Sequence, residues 1–169
     1  MRWVGTVLRL VVGGVWIAAG VIKLPTPESS VTAVRAYQLL PTGTTTFIGH
    51  LLPILELAIG VLLVAGLFTR VSAAVSALLQ VAFIVGISSV WIRHIPINCG
   101  CFGDGGATSW AQARSAYPWE LARDTGLLLA SIFLTLRPRT RVAADEWLFP
   151  EISPNPSPSE ESDDVEVRS

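Results

Sequence analysis

Residues 46–68 read TFIGHLLPILELAIGVLLVAGLF, and after Thr69-Arg70 residues 71–92 read VSAAVSALLQVAFIVGISSVWI. About 20 apolar residues cross the hydrocarbon core as a helix, so each run is long enough for a membrane span. The two residues between them allow a very tight turn, which makes the helices antiparallel neighbours. Working outward, residues 4–22 form another apolar run, interrupted by Arg9. Residues 119–136 are the weakest candidate, because Glu120, Arg123 and Asp124 crowd their first turns and the clean run 126–136 is too short to span alone. Pro118 is expected at the first position of that helix, where a missing N–H costs nothing. The expected fold class is all-α, an integral membrane four-helix bundle.

Composition agrees. Of 169 residues, 51% are hydrophobic and 15% charged, and the mean hydropathy is +0.54. Soluble domains carry about 25% charged residues. A net charge of -1 with no basic stripe excludes a nucleic-acid partner. A cleavable signal peptide competes for the first run, with Arg2 ahead of it and Ala18-Ala19-Gly20 as a cleavage region. The run exceeds the usual core of about 7–15 residues, so it is expected to stay as a helix.

The connections differ in kind. The first loop, 23–43, holds a short amphipathic helix over 29–40, with Val31, Val34, Tyr37 and Leu40 recurring every three residues. Pro41 is expected to end it, and its apolar face suits a surface position. The third loop, 93–117, is glycine-rich. After residue 136 come Arg137, Arg139 and Arg141, then an acidic Pro/Ser-rich stretch over 151–169 with almost nothing to bury. Two units follow: a transmembrane domain over 1–136 and a disordered tail over 137–169. With both termini in the cytoplasm, that side receives seven Lys and Arg and the other side five. Three of the seven flank the last helix directly, which favours this orientation and places both long loops outside the cell membrane.

The third loop carries the chemistry. Cys99-Gly100-Cys101 holds both cysteines of the chain. The intervening glycine permits the tight backbone that such a ring requires, and departures from relaxed geometry make a disulfide easier to reduce. A ring this small adds little chain-entropy stabilisation, which counts against a staple. Redox exchange at Cys99 and Cys101 is the leading reading. Alternatives are a loop clip, two idle thiols, or a metal cluster with His94 and Asp104. That spacing is not a standard zinc pattern, so no metal is expected. Arg93 and His94 are the nearby cations that would tune a thiol.

Glu56 lies near the middle of the second span and Gln80 near the middle of the third. An intramembrane carboxylate is costly and marks a functional site by default. The pair is expected to hydrogen-bond across the two helices, either to lock packing or to handle protons or a membrane quinone. His50, near the start of the second span, is either a solvated interfacial histidine or part of that relay. Arg9 is expected to snorkel to water, and Lys23 to cap the other end of the same helix. Trp91, Trp110, Tyr117 and Trp119 suit an aromatic belt. Gly60, Gly66 and Gly86 suit close helix approach.

Read in order, several elements form a recognisable series. They are Ala36-Tyr37-Gln38-Leu39-Leu40-Pro41, Leu52-Pro53-Ile54-Leu55-Glu56-Leu57 with Gly60, Thr69-Arg70, Ile97-Asn98-Cys99-Gly100-Cys101-Phe102-Gly103, and Tyr117-Pro118-Trp119-Glu120-Leu121-Ala122-Arg123-Asp124. Together they resemble the MauE family of methylamine-utilisation membrane proteins, in the wider DoxX-like group, over residues 1–136. The family usually has Asp where this chain has Asn98. The resemblance implies a four-helix membrane protein that works with a thioredoxin-like companion in maturing a disulfide-rich extracytoplasmic protein. Methylamine chemistry itself has no residue to point to here. Three functions remain in view: thiol–disulfide exchange with that partner, a non-catalytic membrane scaffold, and an intramembrane carrier of a metal or small molecule at Glu56 and Gln80.

Overall fold

The computed structural model describes residues 2–100 and 105–136. Cys101, Asp104 and the tail read over 137–169 lie outside them. Among the described residues five helices follow in order, α1 Arg2–Lys23, α2 Pro27–Ala36, α3 Thr42–Ala65, α4 Thr69–Ile92 and α5 Trp110–Leu136. Between α4 and α5 a two-stranded antiparallel ribbon pairs β1 Ile97–Asn98 with β2 Gly106–Ala107, Ile97 opposite Ala107.

Three helices carry stretches long and apolar enough to cross a membrane: Trp3–Lys23, Gly43–Ala65 and Thr69–Ile92. Large apolar side chains point outward from them, among them Phe47, Ile54, Val71, Leu78 and Ile92. A soluble protein does not leave so much contiguous apolar surface in water. This is a mostly helical, multi-pass membrane protein.

The inward faces are narrow stripes. On α1, Gly5, Arg9, Val12, Trp16, Ala19 and Lys23 are buried, alternating steps of four and three residues as one helix face requires. Here α1 lies against α3 at backbone distance. A Cβ added to Gly60 would stand 2.7 Å from the Ile17 nitrogen and 2.8 Å from the Gly13 carbonyl oxygen. Gly60→Val is therefore expected to cost about 1–3 kcal/mol through forced separation of the helices. Gly14, whose Cβ would meet open space, provides the control: Gly14→Ala should leave thermal unfolding in detergent unimpaired.

α4 packs along α5, whereas α3 and α4 touch over a shorter stretch. The turn between them is Gly66-Leu67-Phe68, and Thr69-Arg70 already belongs to α4. Gly66 takes φ 73° and its N–H reaches the Leu62 and Leu63 carbonyls, while the Leu67 N–H bonds to Leu62. That is a glycine-closed helix end with 5→2 and 6→1 bonds, and it sets the boundary earlier than the charge of Arg70 suggested. Across the middle, Trp16 Nε1 donates to Ser76 Oγ at 2.7 Å, and Ser76 Oγ lies 3.0 Å from Ser131 Oγ. One polar chain thus joins α1, α4 and α5.

Two helix boundaries correct the sequence reading. α5 begins at Trp110 and carries Pro118 inside it. Ser109 starts the helix: its Oγ accepts the Gln112 N–H at 3.4 Å, the serine half of a Ser-x-x-Gln capping box, and donates to Gln112 Oε1 at 3.0 Å. Buried Ala113 and Tyr117 then hold the added turns. α2 ends at Ala36, four residues early, where Gln38 adopts φ 52°. Pro41 precedes α3 instead of closing α2. α2 also does more than rest on a surface, for buried Val31 sits on Gly49 of α3, where a Cβ would come within 2.6 Å of its Cα.

Candidate functional site

The cysteine loop is held from two sides by tyrosines. Tyr117 donates its hydroxyl proton to the Ile95 carbonyl at 2.7 Å, and its oxygen accepts the Ile97 N–H at 3.2 Å. Tyr37 donates to the Cys99 carbonyl at 2.9 Å. Burial, and after it the negative charges of Glu120 and Asp124, raise the Tyr37 hydroxyl far above its ordinary pKa, so it stays a neutral donor. Tyr117 is 1% exposed, so it is a core residue and not a belt anchor, while Trp119 is 73% exposed. Removing the Tyr117 hydroxyl strands buried backbone groups. Tyr117→Phe should cost about 1–3 kcal/mol, read by thermal unfolding, with faster amide exchange at Ile97.

Cys99 is disulfide-bonded, and Cys101 is the other cysteine of the sequence. Cys99 is buried, packed with Ile87, Val90, Ile97, Ala113 and Tyr117. Gly100 beside it has φ 73°, and a Cβ there would meet the Ala33 methyl of α2 at 2.6 Å. Glycine is required twice over, by backbone conformation and by contact. Arg93 gives its guanidinium to the Tyr37 carbonyl at 3.1 Å and Gln38 Oε1 at 3.2 Å. His94, exposed at φ 56°, lies beside Trp110 with ring centroids 5.0 Å apart. Both side chains lie at the corner around the loop. Among the described residues no group of three or more His, Cys, Asp or Glu could hold a metal.

Below the loop sits a buried ion pair. Lys23 Nζ donates to Glu56 Oε1 at 2.7 Å and to Oε2 at 3.0 Å, with both side chains 3% exposed or less. Glu56 is therefore paired with α1, and not with Gln80 as the sequence suggested. Antiparallel packing at Gly20, against Pro53 and Leu57, stops α1 partway along α3 and delivers Lys23 to Glu56. Gln80 still faces the same place: both line a cavity of about 20 Å³ with Trp16, Phe83, Arg123 and Asp124. That is room for one water. Gln80 Oε1 and Asp124 Oδ2 have no hydrogen-bond partner among the described residues. Arg123 reaches Asp124 Oδ1 at 2.8 Å, so each of the two buried carboxyl groups bonds one basic side chain.

His50 is placed elsewhere. It is exposed, with Nε2 3.5 Å from Glu28 and Nδ1 2.8 Å from the Thr46 carbonyl, and it lines neither this cavity nor the one beside Cys99. Arg9, expected to reach water, is buried at 2% because it shares the stripe of Val12 and Trp16. That stripe was the signal for Lys23 as well, since Arg9, Trp16 and Lys23 recur at seven. Asp124 has a similar signal in the spacing of Tyr117, Asp124 and Ser131, all buried.

This arrangement sits within one family-wide match. The family model described as methylamine utilisation protein MauE matches residues 1–137. The chain belongs to the MauE family. A curated relative, the methylamine utilization protein MauE of Paracoccus denitrificans, is 29% identical over 99 residues, covering 58% of this chain and 53% of the relative. The chain thus spans about half the length of that relative. No solved structure matches. The MauE match takes in every element described above, from Lys23 to Asp124, together with Cys101, which the described residues omit.

Proposed function

We propose that this MauE-family protein exchanges disulfides with an extracytoplasmic thioredoxin-fold partner, through Cys99 and Cys101. The observation that carries the reading is the disulfide on Cys99, in a chain whose other cysteine lies two residues away. A bond closing so short a ring contributes little to stability, while tyrosines and glycines fix the loop around it. In this proposal α5 crosses the membrane as a fourth helix. Both termini lie in the cytoplasm and the cysteine loop outside. The relative's name makes methylamine utilization one setting for such exchange.

With one thiol pair, the protein needs an external acceptor or donor for two electrons. A membrane quinone is the acceptor class this reading calls for. The test is redox titration of the pair in membranes, trapped by alkylation. Stepwise interconversion with a dithiol buffer supports exchange. A pair that never opens, or a double Cys→Ser variant that matures its partner normally, leaves the scaffold as the better account.

A further inference from the structure

The last turns of α4 carry a groove that changes character along its length. Ile84, Val85, Ser88, Ser89, Ile92 and Arg93 line it, around a volume of about 440 Å³, and pairs repeating every four residues share one helix face. Ile84 and Val85 make one end apolar, while Ser88, Ser89 and Arg93 bring hydroxyl and guanidinium donors to the other. Arg93 directly follows the apolar span Thr69–Ile92, which puts it at the membrane surface. From Ile84 to Arg93 the helix rises about 14 Å, and half a hydrocarbon core is about 15 Å. The groove therefore reaches from the surface to near the midplane, the depth of one leaflet.

Charge decides what fits there. Arg93 is exposed, and its two hydrogen bonds go to neutral oxygens, the Tyr37 carbonyl and Gln38 Oε1. Among the described residues it joins no ion pair. A guanidinium carries five N–H donors, so donors remain for a phosphate, which arginine binds with two parallel bonds. No acidic side chain is among the described residues lining the groove, so nothing there would hold the ammonium of a zwitterionic head group. We infer that the groove binds one anionic phospholipid from the leaflet on the side of the cysteine loop. Its phosphate lies on Arg93 beside the serine hydroxyls, and one acyl chain runs down along Ile84 and Val85. The carbonyl end of α4 by itself disfavours an anion, so the guanidinium must supply the attraction. A neutral quinone head group would leave that charge unmatched. The inference is independent of the exchange reading, and the site borders the cysteine loop through Tyr37, which bonds Arg93 by its carbonyl and Cys99 by its hydroxyl.

The test counts lipids retained by the full chain in mild detergent, by native mass spectrometry, after equilibration with equal amounts of phosphatidylglycerol and phosphatidylcholine bearing the same acyl chains. One phosphatidylglycerol should be held in preference. Arg93→Gln should lower that retention by at least about fivefold, the share of one basic residue at an anionic surface. Because Arg93 also bonds Tyr37, Val85→Trp serves as a second variant. It fills the groove from a position 58% exposed, keeps the arginine, and should lower retention as well. Arg70→Gln removes an exposed arginine at the opposite end of α4 and should leave retention unchanged. Equal retention of the two lipids overturns the inference, and so does full retention in Val85→Trp. An equal loss in Arg70→Gln would reduce the effect to general interfacial charge and overturn the site. Displacement of the lipid by an equimolar short-chain quinone would reassign the groove to a quinone. A dimer dispersed by Val85→Trp would reassign it to a second copy of the chain.

Discussion

Lys23→Met is expected to destabilise the protein by about 3–5 kcal/mol, the range for removing one partner of a buried ion pair. Both Lys23–Glu56 distances are 3.0 Å or less, and the carboxylate is 1% exposed. With the ammonium gone, Glu56 loses the counter-charge that both of its oxygens bond. The compensating result is as informative. Exchanging both residues for methionine removes the charges together, and apolar replacement of a buried pair is often close to neutral. The double variant should therefore recover most of the loss, measured as unfolding midpoints in one detergent. If the single and double variants lose the same amount, the ion pair is not what makes the single one fail. Asp124 adds a coupling, since it lines the same cavity as Glu56. Asp124→Asn should then alter the cost of Lys23→Met by more than additivity allows for separate sites.

Cys101→Ser should abolish reduction of the loop by a dithiol partner, a loss of at least about a hundredfold against the intact pair. Serine cannot form the bond that is attacked, and Cys99, buried against Ile87, Val90 and Tyr117, offers no substitute electrophile once it is a free thiol. Cys99→Ser should be as inactive in turnover yet differ in trapping. It leaves Cys101 able to form a stable mixed disulfide with an oxidised partner, whereas Cys101→Ser should trap that partner far less. Gel-shift quantitation of the trapped species separates the two. Equal trapping by both variants would remove the asymmetry between the sulfurs.

Hydropathy made the membrane helices legible because a run of about 20 apolar residues has few other uses. α1, α3 and α4 were each located within a few residues of their observed bounds. α5 was cut short because Pro118 and the charges after it look like a helix start. The true start lies in Ser109 and Gln112, whose hydrogen bonds carry the helix past the proline. At the site, Glu56 and Gln80 stood out as polar residues in apolar runs. Their partner did not. Lys23 sits at the end of an apolar run, where lysine ordinarily meets water. What buries it is tertiary: α1 stops partway along α3, and α2 folds over the end. The seven-residue recurrence of Arg9, Trp16 and Lys23 held that information, but it becomes readable only once the facing glycines Gly13, Gly20 and Gly60 are known to touch α3 or α1 backbone. Tyr117 is hard to read for a related reason. Tyr117 looks like a belt residue beside Trp119, yet one step around the helix turns it into the core and onto the cysteine loop.

The most direct test is thiol labelling in intact cells with a membrane-impermeant maleimide, before and after mild reduction, and with Cys101→Ser for assignment. The account requires no labelling before reduction. After reduction it requires labelling from outside, reversed by an external disulfide oxidant and strongest at Cys101. Labelling that needs permeabilised cells, or thiols that never re-form the bond, would contradict it.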